Sequence, residues 1–485
     1  MLSVAASQRW GEPAGPQGGN AHRAHDMYEY DLVVIGSGPA GQKAAIAAAK
    51  LDKKVAVVER KLALGGVCLH KGTIPSKTLR EAASYLTGVR QREMYGSAYR
   101  VKERVTIEDL TFRTQRVIER EINVVRDQLI RNYVDMVAGS GCFVDQHLVL
   151  VGTDEGSRQL RTDKVIIAVG TRPARPEGIA FDDERIIDSD SLLKLKEIPR
   201  SMIFVGAGIV GCEYATIFRT LGVRVTLIDG RERPLDFVDD EIEDALYYRM
   251  RDEGIILHFG EKVERVEHAD SGKARVITES GKQFTSDSLM FAAGRMGASA
   301  SLHLEAIGIE PDGRGRLKVD ENYQTEVEGV YAVGDIIGFP SLASTSREQG
   351  RIAALHAFGI DTPKISDRLP FGVYTIPELG MVGPTEEEFT TESVPYETGI
   401  ARFRELSRAQ ISGGSEGLLK LIFHRETRKL LAVHILGASA TELVHVGQAI
   451  IDHGGTIDYL RDAVFNYPTL AEAYKVAALD GLNKL

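Results

Sequence analysis

Two stretches of this chain repeat one plan: an apolar strand, a turn reading Gly-x-Gly-x-x-Gly, a helix rich in small or apolar residues, and a second strand closed by an acid. The first comprises residues 30–35, the turn Gly36-Ser37-Gly38-Pro39-Ala40-Gly41, a helix over 43–51, a strand over 55–58, and Glu59. The second comprises 203–205, Gly206-Ala207-Gly208-Ile209-Val210-Gly211, a helix over 212–221, a strand over 223–228, and Asp229. Each unit implies a parallel strand pair with a right-handed crossover. The expected fold class is therefore α/β, with two Rossmann-like nucleotide-binding domains. The duplication says more than either copy does alone.

In each turn the residue types have separate tasks. The first glycine (Gly36, Gly206) permits the tight bend, and the second (Gly38, Gly208) lets backbone amides approach a pyrophosphate. The third (Gly41, Gly211) allows the helix to lie close to its strand, while the helix N-terminus adds partial positive charge. Glu59 and Asp229 stand where an acid hydrogen-bonds an adenosine ribose. An acid at 229 favours an unphosphorylated ribose, hence NAD. Arg231 and Arg233 follow at once and offer charge-assisted bonds to a 2′-phosphate, or simply form a solvated charge run. NAD against NADP stays open at this point, and use of both is compatible with the residues.

The 485 residues suit two to four domains. The formal net charge of −10 argues against nucleic acid or an anionic membrane as partner. No apolar run approaches the roughly 18–20 residues that span a bilayer. The three cysteines, Cys68, Cys142 and Cys212, match neither a disulfide scaffold nor a zinc pattern. A reducing cytoplasm is the expected compartment, and no metal is expected. Residues 1–26 read as a disordered extension rich in Gly, Ala, Pro, Gln and His, with Met27 a candidate translation start. Between the two repeats lie a helical stretch near 107–133 and β segments through Gly170. After them come strands near 255–279 and 287–293, then an α+β block from about residue 366 that ends in a helix capped by Pro468.

The segment Gly65-Gly66-Val67-Cys68-Leu69-His70-Lys71-Gly72-Thr73-Ile74-Pro75-Ser76-Lys77 resembles the GGxCxxxGCxPSK motif of the pyridine nucleotide-disulfide oxidoreductases, the family of glutathione reductase and lipoamide dehydrogenase. The resemblance runs from residue 27 onward. It includes Ala168-Val169-Gly170-Thr171, which resembles the family's ATG stretch at the edge of the FAD site, and Tyr331-Ala332-Val333-Gly334-Asp335, which resembles the family's second FAD motif. It implies FAD held by Gly36, Gly38, Gly41, Glu59, Arg60, Gly66, Cys68, Lys77, Gly170, Asp335 and Ala343. It likewise implies NAD(P) held by Gly206, Gly208, Gly211, Asp229, Arg231 and Gly294. Asp335 matches the residue that bonds the ribityl chain, Lys77 the lysine near flavin N5, and Glu213 its ion-pair partner. Lys77, Glu213 and Cys68 are the implied catalytic residues.

Two departures shape the expected activity. Where the motif has its second redox cysteine this chain has Thr73, and where the family has a His-Pro acid/base it has Tyr467-Pro468 within Asn466-Tyr467-Pro468-Thr469-Leu470-Ala471-Glu472. Threonine forms no disulfide, and a phenol with a pKa near 10 is a poor proton shuttle at neutral pH. With Phe339-Pro340-Ser341-Leu342-Ala343-Ser344 and the residues from Asn466 onward, the resemblance is to the branch that transfers hydride between NADPH and NAD+ (Si-specific type). It implies a reversible ping-pong transhydrogenation through FAD, with a homodimer or higher homo-oligomer. Three other activities remain open: an NAD(P)H diaphorase or quinone reductase, a lipoamide dehydrogenase-like reductase, and a non-catalytic redox-sensing flavoprotein. The implied division is an FAD domain over 27–170 and 286–358, an NAD(P) domain over 171–285, and an interface domain over 359–485. His70 is a candidate proton donor or a loop-packing residue. Glu442, His445 and Gln448 share a helix face and suggest a metal site or a contact surface.

Overall fold

The computed structural model describes residues 28–60, 63–96, 102, 105–153 and 155–485. The expected disordered extension 1–26 and the candidate start at Met27 lie outside the described residues.

The first sheet is built around Tyr30–Ile35, whose Leu32, Val33 and Val34 are wholly buried. Parallel neighbours Val55–Glu59 and Gly156–Ile167 flank it, with Asp135–Ala138 and Val330–Ala332 parallel beyond them. Strands buried on both faces need apolar residues throughout rather than alternation, and this run supplies them. The helix that follows begins at Pro39 and runs to Ala49, earlier than the expected 43. Proline suits the first helical position because its missing N–H would have no partner there. Against it lies Ala343–Ala357, where a Cβ on Gly350 would strike the Ala40 carbonyl, so the two helices meet at backbone distance.

The second sheet repeats the plan. Ser201–Val205 lies between Arg224–Ile228 and Ser288–Phe291, all parallel, with Ile256–His258 and Ile186–Asp188 outside. The structure thus differs from the expected boundary at residue 285. Ser288–Phe291 pairs with Ser201–Val205, because its four residues are all buried and fill the sheet's fourth position. The chain leaves the first unit through Thr171–Pro173 and returns through Arg295–Gly297, which pair antiparallel.

The third sheet is antiparallel, in the order Phe371–Val373, Glu378–Val382, Leu430–Gly437, Gly417–His424, Tyr396–Arg402. The helices Ala440–Asp452 and Glu472–Leu482 cover it through Val444, Tyr474 and Ala477. Pro468 does not cap the last helix. The Thr469 hydroxyl turns back to the Asn466 carbonyl, and the helix starts at Glu472 after Ala471. Lys420 of this sheet, 1% exposed, reaches Asp239 Oδ1 of the second unit at 2.9 Å and also pairs with Glu241 and Glu386. Among the described residues no helix is long and apolar enough to cross a membrane.

Candidate active site

A cavity of about 690 Å³ opens where the three units meet. Gly36, Gly38, Glu59, Arg60, Gly66, Cys68, Lys77, Gly170, Asp335 and Ala343, ten of the eleven residues expected at FAD, line it. Gly41 is not in the wall. Its Cβ would land far inside contact with the Gly36 carbonyl, so it serves the close approach of helix and strand. A Cβ on Gly38 would meet no protein atom within 4 Å, which leaves the backbone there open to the cavity. The helix above it has no side-chain cap, so its first amides are available to an anion. Glu59 is fixed as an acceptor: Ser37 N–H and Oγ donate to its Oε2 at 2.9 and 2.7 Å, and Arg60 N–H to its Oε1 at 2.7 Å. The open backbone at Gly38 and the uncapped helix amides suit the pyrophosphate of FAD, and the fixed Glu59 carboxylate suits its ribose hydroxyls.

Asp335 lies in the wall on the short turn Gly334–Ile337. Burial pushes its pKa up, against the opposing pull of Arg295 and the Thr171 hydroxyl. Arg295 itself donates to Thr171 Oγ1 at 2.8 Å and to Thr171 O at 3.1 Å. The Gly334 N–H donates to Gln349 Oε1 at 2.8 Å, which holds the turn on the neighbouring helix.

Lys77 and Glu213, 136 residues apart in sequence, meet: Lys77 Nζ donates to both carboxylate oxygens of Glu213 at 2.8 and 2.7 Å. The Tyr374 N–H donates to Glu213 Oε1 at 2.9 Å, and the Lys77 ammonium lies 4.7 Å from the centre of the Tyr374 ring. Sequence reasoning missed Tyr374, Gln349 and Arg295. The partners of Tyr374 and Arg295 lie 161 and 124 positions away along the chain, that of Gln349 lies 15 away, and no local motif marks any of the three.

Cys68 lines the cavity as a free thiol. Burial pushes its pKa up, while the Thr73 hydroxyl and the Arg347 charge pull the other way without prevailing. Cys142 and Cys212 are likewise free. His70 packs the loop, with Nε2 3.1 Å from Ala63 O and 2.9 Å from Leu64 O. Tyr467 stands 64% exposed, its hydroxyl 2.7 Å from Ser407 Oγ. His445 lines the cavity beside Val444 and bonds Gln448, and Glu442 is not in the wall.

In the second unit the expected nucleotide residues gather outside this cavity, at the mouth of the other glycine turn. A Cβ on Gly206 would lie 2.9 Å from Ala292, and one on Gly211 would press into the Gly206 carbonyl. Gly208 is open apart from Arg231, 3.9 Å from where its Cβ would be. Asp229 accepts the Ala207 N–H at 2.7 Å, just as Glu59 accepts that of Ser37. Arg231 forks over the same carboxylate at 3.1 and 3.0 Å. Burial alone would raise the Asp229 pKa; the Arg231 fork and the backbone N–H groups outweigh it and hold the carboxyl below its usual range. Arg233 is drawn away to Asp240, Glu243 and Asp244. Gly294 sits at the crossover between units, its carbonyl accepting Ala174 N–H at 3.1 Å.

Residues 30–350 match the family model described as pyridine nucleotide-disulphide oxidoreductase, and residues 369–478 match that family's dimerisation domain. A soluble pyridine nucleotide transhydrogenase of Mycobacterium bovis (strain BCG / Pasteur 1173P2) is 55% identical over 462 residues, covering 95% of this chain and 98% of its own. One from Colwellia psychrerythraea is 45% identical over 463 residues, covering 94% and 99%. Among solved structures, LpdA from Mycobacterium tuberculosis superposes with a TM-score of 0.85 at 26% identity, covering 92% of this chain and 99% of that one. The HOCl-induced flavoprotein disulfide reductase RclA from Escherichia coli gives 0.83 at 27%, covering 93% and 99%.

Proposed function

The chain belongs to the pyridine nucleotide-disulphide oxidoreductase family, and we propose that within it this member is an FAD-dependent transhydrogenase, passing hydride reversibly between NADPH and NAD+ without a redox disulfide. The observation that carries the reading is the pairing of Cys68 with Thr73 in the cavity wall, where the motif of a dithiol relay has two cysteines. The relatives named soluble pyridine nucleotide transhydrogenase support it over nearly the full length.

FAD, held by Gly36, Gly38, Glu59, Gly66, Gly170, Asp335 and Ala343, supplies a two-electron carrier able to take hydride from one nicotinamide ring and give it to another. The chain's own residues do the rest. The uncapped helix N-terminus after Gly38 would hold the pyrophosphate of FAD, and that after Gly208 the pyrophosphate of the nicotinamide dinucleotide. Lys77, steadied by Glu213 and Tyr374, places a positive charge in the wall where negative charge builds during transfer. Asp229 and Arg231 together offer an acid for a free ribose and a cation for a 2′-phosphate, which suits a site that receives NAD and NADP in turn. Hydride transfer needs no protein acid or base, so Tyr467 in place of histidine removes nothing the reaction uses. We take the chain to be a cytoplasmic homodimer and the transfer to be of the Si-specific type. We divide it into an FAD unit, an NAD(P) unit extended to Phe291, and an interface unit from residue 359.

The test is a steady-state assay of the FAD-loaded protein with NADPH and the thionicotinamide analogue of NAD+. Turnover with this pair, and none with oxidised lipoamide or glutathione, is the expected result. Reduction of either disulfide at a comparable rate would overturn the reading.

A further inference from the structure

Away from the flavin cavity, two helices of the first unit enclose a second pocket of about 330 Å³, lined by Lys43, Ile46, Lys50, Gln128, Arg131 and Asn132. Lys43 and Ile46 belong to the helix Pro39–Ala49, and Lys50 caps its end. Gln128 belongs to the last turn of the helix Ile107–Ile130, which Arg131 caps and Asn132 follows. Positions 43, 46 and 50 share one helix face, as do 128, 131 and 132. Three cations therefore meet across the seam, and no carboxylate stands in the wall with them. Among the described residues none of the three makes an ion pair or a side-chain hydrogen bond. The contrast within this molecule is sharp: Arg233 and Lys420 each gather three carboxylates. Like charges brought together without a counter-ion repel, and an anion between them turns that cost into attraction. The carbonyl ends of the two helices attract cations, which accounts for Lys50 and Arg131 at the caps. It does not account for Lys43, half-buried and more than a turn before its helix ends, nor for the two amides beside it.

We propose that this pocket binds a condensed phosphate, a chain of two or three phosphoryl groups that is either inorganic or carried on a nucleotide. Lys43 and Lys50 are about 10 Å apart along the helix axis, so a chain of phosphoryl groups runs along the face where a single phosphate meets only part of it. Arg131 supplies a planar fork for phosphate oxygens, and the two lysines act as point charges. The Gln128 and Asn132 side-chain amides bring further N–H donors. The site is separate from both glycine turns, since Gly38 opens to the flavin cavity and Gly208 lies in the second unit. A ligand across the seam ties the helix that starts at the first glycine turn to its neighbour, and so stabilises the FAD unit by mass action.

The experiment is calorimetric titration of the FAD-loaded protein, free of divalent metal and saturated with NADP+ so that the second glycine turn is filled. The titrants are inorganic tripolyphosphate, ATP and orthophosphate. We expect tripolyphosphate, ATP or both to bind once per chain, roughly tenfold or more tighter than orthophosphate, which makes fewer charge-assisted bonds. The tighter of the two identifies the source of the chain. Lys43→Gln and Arg131→Gln should each weaken that binding by roughly three- to tenfold, and should remove the rise in thermal midpoint that the ligand gives the wild type. Lys318→Gln, which removes one exposed charge elsewhere, should change neither. Binding by neither condensed phosphate, equal affinity for orthophosphate, or binding that survives both substitutions would overturn the proposal. So would an equal loss in Lys318→Gln, which would mean general charge attraction without a site. A protein that fails to take up NADP+ would count against the proposed function alone, because the substitutions still locate the phosphate.

Discussion

Lys77 holds its ammonium between a carboxylate that is 5% exposed and the face of an aromatic ring. Glu213 without that ammonium is a buried carboxylate left unpaired, which costs roughly 3 kcal/mol when one partner of such a pair is removed. Lys77→Met should therefore lower the unfolding free energy by about that amount and slow NADPH oxidation by roughly a hundredfold, as for loss of a preorganised charge. Chemical denaturation and anaerobic stopped-flow reduction read the two effects separately. Asp229 carries a pH dependence. Its folded-state pKa lies below the ordinary carboxylate value despite burial, through Arg231 and the N–H groups of Ala207 and Arg231. A depressed folded-state pKa gives stability that is complete above the unfolded value of about 3.9 and is lost as the pH falls through the folded one. Thermal unfolding of wild type and Asp229→Asn should differ by a constant amount above about pH 5 and converge below about pH 4.

At the scale of elements, the two glycine turns share a geometry and differ in consequence. A methyl on Gly41 or Gly211 is driven into the carbonyl of the first glycine of its own turn, which backbone cannot yield without moving the helix. Gly41→Ala should leave a protein that purifies with little FAD. Gly211→Ala should stay yellow and lose reduction by NADPH. Visible absorbance and anaerobic titration distinguish them, and a Gly211→Ala protein lacking FAD would contradict separate roles for the turns. These turns were legible in the sequence because every contact they need lies within one strand–helix–strand unit. The same holds for Glu59 and Asp229, which accept the N–H after the first glycine of their own repeats. What was not legible depends on chain segments brought together only by the tertiary fold. Tyr374 reaches Glu213 across 161 positions, and Ser288–Phe291 joins the second sheet beside Ser201–Val205, past the expected boundary. Pro468 looked like a helix start by residue type alone, yet the turn ending at Ala471 takes those positions.

Across the whole molecule, three sheets converge on one cavity, and no unit makes it alone. The first supplies Gly38 and Asp335, the second Glu213 and Tyr214, the third Tyr374 and Val444. Lys420, buried against Asp239, joins the second unit to the third and so fixes the wall that Tyr374 shares with Glu213. The resemblance to the family implied the Lys77–Glu213 pair, while the residues that join the third sheet to it, Tyr374 among them, come from the fold. The proposed function requires that reducing equivalents delivered to this cavity leave to a second nicotinamide and to no sulfur pair. Its most direct measurement reduces the FAD-loaded protein anaerobically with NADPH, removes NADP+, and mixes the product with NAD+ while thiols are titrated in parallel under denaturing conditions. One NADH formed per chain, and three thiols both before and after reduction, is the expected result. A thiol count that rises on reduction, or a reduced protein that NAD+ fails to reoxidise, would contradict it.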